Sequence, residues 1–98
     1  MSTAAYFMFD VTITDPEGIK PYQEQVEKTL QPFGGVCLVL AGAIEVMEGK
    51  GPEGFTVMVQ FPDLAMARAW YNSPDYQQII GYRQSSATTH AYLVQGIS

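Results

Sequence analysis

Residues Tyr6 to Ile13 alternate without a break: Phe7, Phe9, Val11 and Ile13 fall on one side of an extended chain, and Tyr6, Met8, Asp10 and Thr12 on the other. A two-residue period of this length fits a strand with one buried face and fits no helix. It commits the chain to a sheet, and every later element must extend or cover that sheet.

Three further segments supply the other strands. Val36 to Ala41 is apolar enough for a second, with Gly42 as a bend and Ile44 to Glu48 as a continuation toward the sheet edge. "EGKGPEG" reads as a hairpin loop before a third strand, Phe55 to Phe61, and His90 to Gln95 reads as the fourth, after the polar stretch "QSSATT". Between the first two strands, "TDPEG" carries helix-start chemistry, with Asp15 to cap, Pro16 for the first position and Glu17 for the positive end. Ile19, Tyr22, Val26, Leu30 and Phe33 recur at helical spacing until "PFGG" stops the helix. On this reading Pro21 lies beyond the first turn, where it removes a hydrogen bond, so an irregular start is expected. Pro62 and Asp63 open a second helix from Leu64 to about Tyr71, and Ser73 and Pro74 open a short third one carrying Tyr76, Ile79, Ile80 and Arg83.

The order is strand, helix, strand, strand, helices, strand. Two right-handed crossovers around a hairpin give an α+β, ferredoxin-like βαββαβ fold, a four-stranded antiparallel sheet ordered 4-1-3-2 with its helices on one face. The 98 residues suit one such domain, 1–98.

Phe7, Phe9, Val11, Val36, Leu38, Leu40, Phe55, Val57, Val59 and Phe61 are expected under the helices. Strict alternation leaves Tyr6, Met8, Asp10, Cys37, Val39, Thr56, Met58, Gln60, His90, Tyr92 and Val94 on the opposite face. An antiparallel sheet face left in water reads mostly polar, whereas this one is about half apolar. A second copy of the chain is the expected cover, in a homodimer through the open sheet face. Enclosed there, Asp10 and His90 must find hydrogen bonds. Each has a plain structural reading, as a strand-end acceptor and a satisfied polar group, beside a reading as general base.

Composition excludes several classes. Net charge is −5, ten acidic residues against five basic, so the summed field repels nucleic acid and anionic lipid. The third strand, "EGFTVMVQF", lacks the outward aromatics on which an RNA recognition motif stacks bases. One cysteine, Cys37, can form neither an intrachain disulfide nor a Cys-x-x-Cys metal pair, and its apolar surroundings point to a core or interface residue. "GKGPEG" is no P-loop and "AGAIEVMEG" no dinucleotide fingerprint. No serine stands in a nucleophile elbow. No cofactor or metal is expected. The start "MSTAAYFMFDVTITD" has neither the basic onset nor the cleavage site of a signal peptide, and no apolar run approaches the roughly 20 residues that span a bilayer. A cytoplasmic protein with no membrane association is expected.

"TDPEG" with Tyr22 after it, "FGG", "GAIEVMEG" and "FPDLAMARAWYNSPDYQQIIGYRQSSAT" together resemble the domain of unknown function 1330 family over almost the whole chain, and "ARAWYNSPDYQ" is the most specific part. Pro21 departs from the family's more usual residue. The resemblance implies a dimeric α/β barrel, related in fold to cofactor-free antibiotic-biosynthesis monooxygenases and without an established biochemical activity.

Two functions remain open. One is a pocket lined by Asp10, Tyr22, Trp70, Tyr71, Tyr76, Arg83 and His90, binding or transforming a small organic acid or aromatic compound. Arg83 would hold a carboxylate there, and the rings would flank a flat body. The other is a non-catalytic homodimerisation module with no ligand, in which Arg83 is a surface or rim ion-pair partner. A cofactor-free monooxygenase is a sub-case of the first, by fold analogy alone.

Overall fold

The computed structural model describes residues 3–98. Its elements are β1 (Ala5–Ile13), α1 (Lys20–Leu30), β2 (Val36–Leu40), β3 (Phe55–Phe61), α2 (Leu64–Tyr71), α3 (Pro74–Ser86) and β4 (Ala87–Gln95), with a 3-10 turn at Gln31–Phe33 after α1. The sheet order is β2-β3-β1-β4, with every pairing antiparallel. This is the expected ferredoxin-like arrangement, read from the other edge.

The alternation of β1 does what its pattern requires. Phe7, Phe9 and Val11 are buried and join Val59, Phe61, Leu30, Ala67, Trp70, Tyr76, Ile79 and Ile80 in one core between the sheet and the helices. Asp63 caps α2, its carboxylate accepting from the Met66 N–H at 2.8 Å, and the Ser73 hydroxyl caps α3, accepting from the Tyr76 N–H at 3.3 Å. Pro74 follows at the start of α3, where its missing N–H costs no helical bond. Gly34 takes the left-handed φ of +70° that ends the 3-10 turn.

Four expectations are corrected. "TDPEG" does not open α1. It folds into a separate turn in which the Asp15 carboxylate accepts from the Gly18 N–H at 3.1 Å, and the helix begins at Lys20. Pro21 therefore lies within the first turn, where it disturbs nothing. In β2, Cys37 pairs with Val59 and Val39 with Met58, so Leu38 is a bulge. The extra residue reverses the parity: Cys37 shares the helix-side face and Val36, opposite Gln60, shares the open one. The helices do not reach this edge strand, which leaves Cys37 exposed and Leu40 73% exposed, outside the core assigned to them.

Ile44 to Glu48 forms no strand. Ala41 turns the chain out of the sheet at a positive φ of 56°, and the following segment is an exposed loop. Finally, "QSSATT" is no connector, since Gln84 to Ser86 complete α3 and Ala87 to Thr89 begin β4 directly. The junction needs no loop because the Ser86 carbonyl accepts from the Thr14 and Asp15 N–H groups, at 2.8 and 3.0 Å, just past the end of β1.

No helix of the described residues is long and apolar enough to cross a membrane.

Candidate functional site

Tyr76, Ile80 and Arg83 lie on one face of α3, spaced four and three residues apart, and that face is turned onto the sheet. Tyr76 is fully buried and Arg83 only 5% exposed. The guanidinium carbon lies 5.6 Å from the centre of the Phe9 ring and 5.5 Å from that of Tyr22, between an aromatic of β1 and one of α1. Its Nη2 donates to the Tyr76 hydroxyl at 3.4 Å, and the Tyr76 and Tyr22 hydroxyls are 2.8 Å apart.

Arg83 has no acid. The ion pairs among the described residues, Lys20–Glu17 and Lys50–Glu53, lie on the exposed surface and do not involve it. The phenols do not supply the missing charge either. Burial pushes the Tyr22 phenol above its ordinary value, and the Tyr76 hydrogen bond and the Arg83 charge offset only part of that. Burial, then the adjacent Tyr22, push Tyr76 further up. For Arg83 itself burial opposes the charged form, while the two phenols raise its pKa through the negative charge they carry once ionised, a charge absent at neutral pH. At neutral pH the cluster is one buried cation among neutral groups.

Raised phenol pKa values make a prediction for alkaline solution. Stability is intact below about pH 10, where tyrosines of the unfolded chain ionise, and falls as pH rises beyond that toward the folded values. Tyr22→Phe removes one of the two groups, so the variant should lose less stability than the parent between pH 8 and pH 11, roughly either side of that value. Urea melts of both proteins across that interval check this, and equal losses would contradict the buried-phenol account.

Arg83 also lines a cavity of about 330 Å³ between the end of α3 and β4, together with Tyr71, Gln84, Ala87, Thr89 and Ala91. That is the small end of the roughly 300–1,000 Å³ range of small-molecule sites. Tyr71 presents one wall, its ring stacked at 5.5 Å on Phe7. Trp70 is set further in. Its indole N–H donates to the Thr29 hydroxyl at 2.9 Å and its ring lies 4.0 Å from that of Tyr76, which makes it the wedge behind the site.

The seven residues singled out from the sequence do not share one pocket. Tyr22, Trp70, Tyr71, Tyr76 and Arg83 gather on the helix side of the sheet, while Asp10 and His90 are cross-strand neighbours on the opposite face. Asp10 is engaged there: its two carboxylate oxygens accept from the Glu53 and Gly54 N–H groups, at 3.0 and 2.7 Å, and anchor the returning end of the long loop. Gly54 packs so close to the Val11 carbonyl that a Cβ has no room. Asp10→Ala should cost about 2 kcal/mol, as loss of charge-assisted hydrogen bonds does. Faster amide hydrogen exchange at Glu53 and Gly54 would report it, and unchanged exchange would remove the anchoring role.

Thr89, Gln84, Ala87 and Ala91 were not legible as site residues. Starting the last strand at His90 leaves Thr89 in a loop, whereas carrying the period of two back from Leu93 places Ala91, Thr89 and Ala87 on the helix-facing side.

The profile of the family described as domain of unknown function (DUF1330) matches residues 4–97. The chain belongs to that family. Among curated proteins none matches this DUF1330 chain in sequence. Solved structures share its fold. A protein of unknown function from Rhodopseudomonas palustris superposes with a TM-score of 0.77 at 14% identity, over 100% of this chain and 85% of its own. SnoaB, a cofactor-independent oxygenase from Streptomyces nogalater, superposes with a TM-score of 0.61 at 10% identity, over 99% of this chain and 96% of its own. At these identities the DUF1330 chain shares with them the ferredoxin-like fold.

Proposed function

We propose that this DUF1330 protein is a cytoplasmic homodimer that binds a small organic acid between α3 and β4. The observation that carries the reading is Arg83, a buried guanidinium without an acidic partner at the margin of a cavity. An isolated charge is costly to bury, and a carboxylate ligand would supply the missing counter-charge. A ring wall and a volume suited to a small molecule support the same reading.

Dimerisation is supported by the face that no helix covers. Val36 and Tyr92 are 55% and 61% exposed there, beside Val94, and the half-buried Met8, Met58 and Val39 continue the apolar surface. Patches of this kind are typical of surfaces that another protein covers. SnoaB's oxygenase activity suggests oxygen chemistry as a sub-case, by likeness of fold alone. Oxygen uptake no greater than buffer across a panel of electron-rich phenols would dispose of it.

Native mass spectrometry on gently purified protein, with a thermal-shift panel of aliphatic and aromatic acids, tests both parts. Twice the chain mass of 10.8 kDa is expected, with an acid from the panel raising the melting temperature. A mass of one chain at micromolar concentration would sink the dimer. No retained compound and no stabilising acid would sink the pocket.

A further inference from the structure

Two polar side-chain atoms among the described residues are buried without a hydrogen-bond partner, Nε of Arg83 and Oγ1 of Thr89. Both residues line the same cavity. Native proteins leave few such atoms, and each one asks for a reason. Here one is a charged donor and the other a hydroxyl that rotates to donate, and they come from the last turn of α3 and the facing side of β4.

We infer that Arg83 and Thr89 form a two-point anion clamp, the Nε–H and the hydroxyl each donating to one carboxylate, and that the occupant is a flat monocarboxylic acid in its ionised form. This rests on the acid-pocket reading and names its ligand class and a second binding residue. The charge count sets the single carboxylate: one guanidinium is uncompensated, and the protein's net charge of −5 opposes any further negative charge. The lining sets the flat body. Ala87 and Ala91 flank Thr89 on β4 at two-residue spacing, small enough to leave the space open, and the Tyr71 ring supplies an aromatic wall. The neutral state of Tyr22 and Tyr76 leaves no internal anion to compete for the guanidinium.

The test titrates 15N-labelled protein with benzoate and follows the Arg83 side-chain Nε–H resonance, with benzamide as neutral isostere and cyclohexanecarboxylate as the non-planar acid. Saturable movement of that resonance is expected with benzoate, much weaker effects with the other two, and affinity about tenfold lower in Thr89→Val, restored in Thr89→Ser. Benzoate binding unchanged in Thr89→Val but lost in Arg83→Met would overturn the clamp and leave the acid pocket standing. Equal binding of benzamide would overturn the requirement for an anion, and equal binding of cyclohexanecarboxylate the requirement for a flat one. An Arg83 resonance indifferent to benzoate, while another acid of the panel stabilises the protein, would overturn this inference alone; indifference to every acid would overturn the pocket with it.

Discussion

Arg83→Met should melt about 5 °C above the parent protein in the absence of ligand and should bind no organic acid. The size follows from opposing terms. Desolvating an unpaired guanidinium costs several kcal/mol even after relaxation, while its two ring contacts return about 1 kcal/mol each and its hydrogen bond to Tyr76 is long. Met fills much of the same space with apolar atoms, so a net gain near 1 kcal/mol remains, and in a domain of this length each kcal/mol moves the midpoint by roughly 4–8 °C. Differential scanning calorimetry measures the first half of the prediction and ligand titration the second. A lower melting temperature would make Arg83 a structural residue and take away the observation on which the proposed function stands.

Trp70→Ala should be the most damaging single truncation in the core. Trp70 is 1% exposed and touches the rings of Phe7, Phe61, Tyr71 and Tyr76, so its removal opens a large cavity where β1, β3, α2 and α3 meet. Such truncations cost about 3–5 kcal/mol, against a total stability of roughly 5–15 kcal/mol for proteins in general. A fall of roughly 20 °C in the midpoint is expected, read by circular dichroism. Trp70→Phe should recover part of it. A loss below about 1 kcal/mol would show that the interior can collapse around the gap.

The architecture was readable because β1, β3 and the two capped helices each satisfy a local rule that agrees with the whole. Phe7, Phe9 and Val11 alternate as buried residues must, and Asp63 and Ser73 stand where helix caps are needed. The failures also have physical causes. A bulge at Leu38 turns Cys37 from one face to the other, and periodicity by itself carries no sign of an inserted residue. Asp15 has the chemistry of a helix cap but serves an isolated turn, because side-chain capping does not specify how far the helix continues. Of the candidate site, the aromatic and arginine members were visible because large rings and a charge at helical spacing stand out. Thr89 was not, since a threonine in a polar stretch looks like any connector until β4 is extended back to meet it.

The seamless passage of α3 into β4 has a further consequence. Arg83 sits on the last turn of a helix whose end is tied to the chain after β1, and Ala87 and Ala91 sit on the strand that leaves it. No hinge separates the group that would hold a ligand's charge from the side chains that bound its shape. Ala87 packs against the buried cluster around Trp70, whereas Ala91 is exposed. Lineages of this fold could therefore exchange Ala91 for larger or polar residues and acquire new ligand preferences by substitution, with the scaffold unaltered beneath.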